Sequence, residues 1–170
     1  YWLANGTEPV YIDKSQRNDK STVLEDGPPL ISLRAVPVVG SVQAGDNGLL
    51  QETQYPVGLG EGYLEWPTKD ANAYALRVRG DSMEPRVRSG EFVIVEPNLK
   101  PDSGDDVVAI FKDGRRMLKR LLVKKDGEFM LASINETHNT ITVFEEELEA
   151  MHLVGGYFPS GRFVKTKVVI

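Results

Sequence analysis

The sequence contains no cysteine and only two histidines in 170 residues. The first absence removes disulfides, thiolate nucleophiles and cysteine-ligated zinc sites together. His138 and His152 are well separated, which leaves little for a histidine-based metal site or a histidine-activated nucleophile, so no metal or other cofactor is expected. Long hydrophobic runs are also missing. The longest, such as residues 107–111, fall far short of the roughly 20 apolar residues that a membrane helix needs, so no membrane partner is expected, and no signal peptide is evident. Positive charge is scarce too. The 20 Lys and Arg against 25 Asp and Glu give a formal charge of −5, which argues against a free-standing nucleic-acid binder. A chain without thiols fits a reducing compartment, and a cytoplasmic location is expected.

What is present is ordinary for a globular domain: 41% apolar and 26% charged residues, enough to bury one sizeable core. The chain opens at Tyr1 rather than Met, which reads as a fragment or a processed product. Tyr1-Trp2-Leu3-Ala4-Asn5 followed by Gly6 reads as a last helical turn with a glycine stop. Residues 7–34 are read as a linker: up to about residue 29 the stretch is polar and charged without a sustained apolar period. Residues 30–39 turn apolar and extended, and Pro37 argues for an edge position there.

From Tyr74 onward the dominant signal has period two. Tyr74, Leu76 and Val78 share one face, and Ala75, Arg77 and Arg79 the other. Similar runs recur at residues 92–95, 107–112, 116–123, 129–134, 140–144 and 152–157, separated by Gly, Pro, Asp or Asn. Asp113-Gly114 and Asp126-Gly127 predict two successive hairpins. Residues 145–150 are the only late helical candidate, and a single turn would suffice. The expectation is a mostly β domain of several short antiparallel strands, a sandwich or a partly open barrel, preceded by a flexible linker. Residues 51–69, rich in Gly and Pro, suggest a further hairpin.

With thiols excluded and histidines disfavoured, the remaining base for a nucleophile is a lysine. Arg79-Gly80-Asp81-Ser82-Met83-Glu84-Pro85 follows a strand directly and holds Ser82 in a turn with its hydroxyl and neighbouring backbone N–H groups exposed for chemistry. Downstream, parity places Lys119 on the face of Met117 and Leu121. An ordinary lysine, with a pKa of about 10.4, is protonated at neutral pH, so desolvation must disfavour its charged form before it can accept a proton. A neutral amine could then take the Ser82 proton as the hydroxyl attacks a carbonyl, with backbone N–H groups receiving the oxyanion. Each residue alone has a blander reading, as a turn serine or a solvated strand lysine.

Taken together, Pro37-Val38-Val39-Gly40-Ser41-Val42-Gln43-Ala44-Gly45, then Gly80-Asp81-Ser82-Met83-Glu84-Pro85, Gly104-Asp105-Asp106-Val107-Val108 and Leu118-Lys119-Arg120-Leu121 resemble the self-cleaving repressors. That family of LexA-type serine peptidases includes LexA, the lambda-type phage repressors and the UmuD polymerase accessory protein. The resemblance covers about residues 35–158, and the 37-residue separation of Ser82 and Lys119 is similar to the family's. It implies a LexA/signal-peptidase-like β domain in which Ser82 is the nucleophile and Lys119 the general base. It further implies that Ala44-Gly45 is the bond the molecule cuts in itself, in a cleavage loop near residues 37–48, with Val42 and Gln43 docking that loop. The backbone N–H of Ser82 or Met83 would form the oxyanion hole.

On this resemblance the chain divides into the end of a helix-turn-helix domain at residues 1–6, the linker at 7–34, and an autocleavage and dimerisation domain at 35–170. The closing helix at Tyr1 to Gly6 favours a phage or prophage repressor over a UmuD-like accessory. The implied partners are a second copy of the chain, as a dimer or higher homo-oligomer, and operator DNA through an upstream domain. The trigger would be the RecA filament or an antirepressor, in a bacterial host. Two alternatives stand beside this reading: a non-cleaving oligomerisation module controlled by an antirepressor, and a UmuD-like polymerase accessory protein; a membrane signal peptidase sharing Ser-Lys chemistry is set aside because its anchor is missing here.

Overall fold

A computed structural model describes residues 33–44 and 62–165 of the chain. The readings at residues 1–32, the Gly45 side of the Ala44-Gly45 bond and residues 46–61 lie outside the described residues. The described residues form strands β1 (Leu33–Ala44), β2 (Gly62–Pro67), β3 (Tyr74–Gly80), β4 (Phe92–Glu96), β5 (Asp106–Phe111) and β6 (Arg116–Lys125). They continue through β7 (Glu128–Ala132), β8 (Ile141–Phe144), β9 (Leu148–Phe158) and β10 (Val164–Lys165). The mostly β expectation holds. No helix among the described residues is long and apolar enough to cross a membrane.

The strands follow one another across a single sheet in the order β10-β2-β1-β3-β4-β9-β5-β6-β7-β8, and a further pairing of Gln43 on β1 with Met117 on β6 joins two distant members. Strands β1, β3, β4, β9, β5 and β6 therefore form a closed circuit of neighbours, with β2/β10 and β7/β8 as outlying pairs. Period two works as expected where turn chemistry is local. The β6–β7 hairpin turns at Asp126-Gly127, both at positive φ (50° and 80°), as a two-residue hairpin turn of matching twist requires. The late helical candidate is a single 3-10 turn at Glu145–Glu147, with the chain already extended again from Leu148.

Strand β1 departs from the simple antiparallel picture. Its first half, residues 33–37, pairs antiparallel with β2, and its second half, from Val38 to Ala44, runs parallel to β3. Pro37 sits where one partner gives way to the other, so each half is locally one-sided and the missing N–H breaks no second ladder. Parallel pairing is possible because more than 30 residues separate the paired positions, such as Ala44 and Gly80. Residues 37–44, read from the sequence as part of a loop, are thus strand, with Val38, Val42 and Ala44 all buried. The core beneath the circuit joins Val42, Ala44, Val78, Met83, Val87 and Leu118. A second apolar cluster, holding Met117 and Leu121, lies between β5, β6, β7 and β8.

Candidate active site

Strand β3 delivers the chain into the site through Gly80, which has φ +88°. A Cβ at this position would lie 2.2 Å from the carbonyl oxygen of Ala44, so glycine is needed both for the backbone conformation and for the approach of β1. The chain then turns over residues 81–87, closed by the N–H of Glu84 donating to Asp81 O at 2.9 Å and that of Val87 to Met83 O at 3.2 Å. Met83 and Val87 are fully buried and anchor the turn in the core shared with Val42, Ala44 and Leu118.

Ser82 is fully buried as well, and its hydroxyl finds no hydrogen-bond partner among the described residues. Leaving a buried hydroxyl unpaired costs about 1–3 kcal/mol, a penalty that calls for an explanation such as a catalytic role. The backbone of Ser82 is fully engaged: its N–H donates to Ala44 O at 3.0 Å, and its carbonyl accepts from Asn135 N–H at 2.8 Å.

Lys119 reaches the site from β6. It is 1% exposed, with Leu118 and Leu121 buried beside it along the strand. Its ammonium nitrogen donates to Ser133 Oγ at 2.6 Å. Ser133 lies across the β6–β7 hairpin, and it is opposite Lys119 because of a register shift between Leu121 and Val123. Beyond that shift Arg120 faces Ala132, and one further step brings Ser133 to Lys119. An unbroken ladder from the Asp126-Gly127 turn would have presented Ile134 instead. No sequence signal marks that bulge, and Ser133 was not legible as a partner for the lysine.

Of the residues singled out from the sequence, Ser82, Met83, Val42, Gln43, Ala44 and Lys119 are brought to one region of the fold. Val42, Gln43 and Ala44 lie beside Val78, Arg79 and Gly80 in the parallel ladder. Gln43 also pairs with Met117, two residues before Lys119. Residues 133–138 form a segment whose contact with the Ser82 turn sequence reasoning did not find. Asn135 Nδ2 donates to Asp81 O at 3.3 Å, and His138 Nε2 lies 2.9 Å from Asp81 Oδ1. The His138 side chain is 19% exposed and folded against the residue preceding Ser82. Its contact spans 57 positions of sequence, so no local pattern could have announced it.

A buried carboxylate flanks this region. Asp106, buried at the start of β5, accepts from Arg120 Nε at 2.9 Å, pairs with Arg86 of the Ser82 turn and accepts from Tyr157 OH. Burial first, and then the bond to Asp106, push the Tyr157 phenol well above its ordinary range. On β9, His152 shares a 2.8 Å hydrogen bond with Tyr74 OH, so it packs within the strand layer. Burial, and then Arg116, hold its pKa below the usual imidazole value. Among the described residues no group of three or more His, Cys, Asp or Glu could hold a metal ion.

The arrangement is thus a buried serine with an unpaired hydroxyl, a buried lysine and a peptide carbonyl held by the serine's own N–H. Residues 37–156 match the sequence profile of S24-like peptidases. The LexA repressor of Magnetococcus marinus is 31% identical over 116 residues, covering 68% of this chain and 48% of that protein. The LexA repressor of Geotalea uraniireducens is 38% identical over 100 residues, 56% of this chain and 46% of its own length. The prophage repressor CohE of Escherichia coli is 36% identical over 93 residues, 54% and 41% respectively. The chain spans less than half of the length of each of these relatives.

Proposed function

Because this chain belongs to the S24-like peptidase family, we propose that it is the C-terminal part of a phage- or prophage-type repressor that cuts its own Ala44-Gly45 bond. Ser82 is the nucleophile and Lys119 the general base. The observation that carries this reading is the hydrogen bond from Ser82 N–H to Ala44 O at 3.0 Å. A donor on the nucleophile's own backbone, aimed at the carbonyl to be attacked, is what an oxyanion hole supplies.

In the proposed reaction, neutral Lys119 takes the proton of Ser82 Oγ as Oγ bonds to the Ala44 carbonyl carbon. The resulting oxyanion stays on the Ser82 N–H. Collapse breaks the bond to Gly45, whose amine leaves with the proton from Lys119. Water, activated by the same amine, then hydrolyses the Ala44 ester and regenerates Ser82. Burial of Lys119 favours the uncharged amine that the first step needs. With the Ala44 carbonyl already engaged by Ser82, the proton on Lys119 becomes the principal brake on cleavage.

Cleavage separates residues 1–44, and any DNA-binding head before them, from the β domain. Two heads joined through a dimer of β domains bind an operator with a gain from effective concentration, and cutting the tether removes that gain. A trigger such as the RecA filament acts by favouring the competent state, without supplying a catalytic group. Incubating the chain near pH 10, where a much larger share of an ordinary lysine is neutral than at pH 7, should release two pieces whose masses place the cut at Ala44-Gly45. Ser82→Ala and Lys119→Ala should each prevent it. An uncut wild-type chain, or a cut that persists in Ser82→Ala, would overturn the reading.

A further inference from the structure

We propose that His138 is a positioning residue for the nucleophile: its bond to Asp81 is a clasp that holds residues 133–138 over the Ser82 turn. The inference rests on the Ser-Lys reading above and adds a residue outside the dyad.

The loop after β7 makes four successive attachments around the site. Ser133 Oγ accepts from Lys119 Nζ, Asn135 N–H donates to Ser82 O, Asn135 Nδ2 donates to Asp81 O, and His138 Nε2 meets Asp81 Oδ1. The loop is braced internally by Asn135, whose Oδ1 accepts from Thr137 N–H and Oγ1 and whose carbonyl accepts from His138 N–H. One short segment therefore touches the base at one end and the nucleophile's backbone in its middle. At the far end, the His138–Asp81 bond ties the segment to the residue before Ser82. An ionised carboxylate can only accept, so Nε2 carries the proton in this bond.

The clasp is built for local effect. The Asp81 side chain is 62% exposed, so the bond adds little to global stability. Its partner residue is nevertheless the immediate neighbour of Ser82. Releasing it frees the Ser82 carbonyl contact and lets the Ser82 N–H drift from Ala44 O, while Lys119 keeps its strand position. Small misplacements of reacting groups reduce rates steeply.

The test compares His138→Ala and His138→Gln with the wild-type chain. Gln can still offer an N–H donor to Asp81, so it separates the bond from the imidazole. Cleavage at pH 10 should slow by roughly 10- to 100-fold in His138→Ala and recover most of the way in His138→Gln, with melting temperature unchanged. Amide hydrogen exchange, read in a Ser82→Ala background that keeps the chain intact, should quicken at Asn135 and at residue 82 in His138→Ala and not at β5. Unchanged exchange at those two amides would overturn the clasp whether or not the wild-type chain cleaves. A wild-type chain that stays whole, with exchange altered as expected, would overturn the peptidase reading alone and uphold the clasp.

Discussion

The N–H of Ser82 donates to the carbonyl oxygen of Ala44 at 3.0 Å, and these two residues are brought together from positions 38 apart by a parallel strand pairing. The contact depends on Gly80, which forms the last rung of that ladder opposite Ala44. A buried serine and a buried lysine could coexist in many cores. A peptide carbonyl seated on the serine's own backbone gives the pair something to act upon.

Gly80→Ala is the most direct way to dislodge that carbonyl. The new Cβ would lie 2.2 Å from Ala44 O, at a backbone φ of +88°. Gly114 offers a control for strain alone, with φ +89° and nothing within 4 Å of a Cβ. Each substitution should cost about 1–2 kcal/mol of stability from the left-handed backbone. Only Gly80→Ala should also reduce cleavage at pH 10, by an order of magnitude or more. Equal cleavage rates for the two variants, measured by mass spectrometry, would show that the β1 approach at Gly80 is irrelevant to the reaction.

The second prediction concerns Lys119. Enclosing an amine to 1% exposure costs stability that an apolar side chain of similar length would not. Lys119→Met should abolish cleavage while leaving the unfolding free energy at or above that of the wild type, by up to about 2 kcal/mol. Ser133, which loses its donor, is only half-buried and can turn to water. Urea unfolding measures the difference. A loss of stability of similar size would mean that Lys119 is there for structure.

How much of this was legible in the sequence varies with the range of the interactions. Strands β3 to β9 could be read because period two and the Asp-Gly turns are local signals; Asp126 and Gly127 occupy positive φ as a tight hairpin demands. The second half of β1 carried its own alternation in Val38, Val42 and Ala44, but its partner β3 lies beyond an intervening strand, and nothing local specifies a parallel pairing. Ser82 and Lys119 could be singled out by their setting, one in a glycine-bounded turn and the other between apolar neighbours. Ser133 depended on a bulge between Leu121 and Val123, and His138 on a contact across 57 residues. Both depend on tertiary register, for which one sequence holds no marker.

The last prediction is a pH profile of stability with two limbs. On the alkaline side, burial pushes the Tyr74 phenol up from 10.0 to about 12. The folded state thus keeps a proton that the unfolded chain gives up. That contribution is fully present below the unfolded value near 10 and is lost as pH rises through the folded value. Tyr157, also held neutral by burial and by Asp106, acts in the same direction. On the acid side, burial and Arg116 lower the pKa of His152 below 6.5, so its contribution is present above that value and lost as pH falls through the folded one. Through these three groups, melting temperature should be highest between about pH 6.5 and pH 10 and fall on both sides. Tyr74→Phe should flatten the alkaline limb selectively between pH 10 and 12, although it removes the hydrogen bond to His152 and lowers the plateau. An alkaline limb equally steep in Tyr74→Phe would show that the phenol is not its source. The profile also sets the range of the cleavage assay. At pH 10 the fold is still at the edge of its plateau, so cleavage there reports the native site, whereas at pH 12 a falling rate would report unfolding.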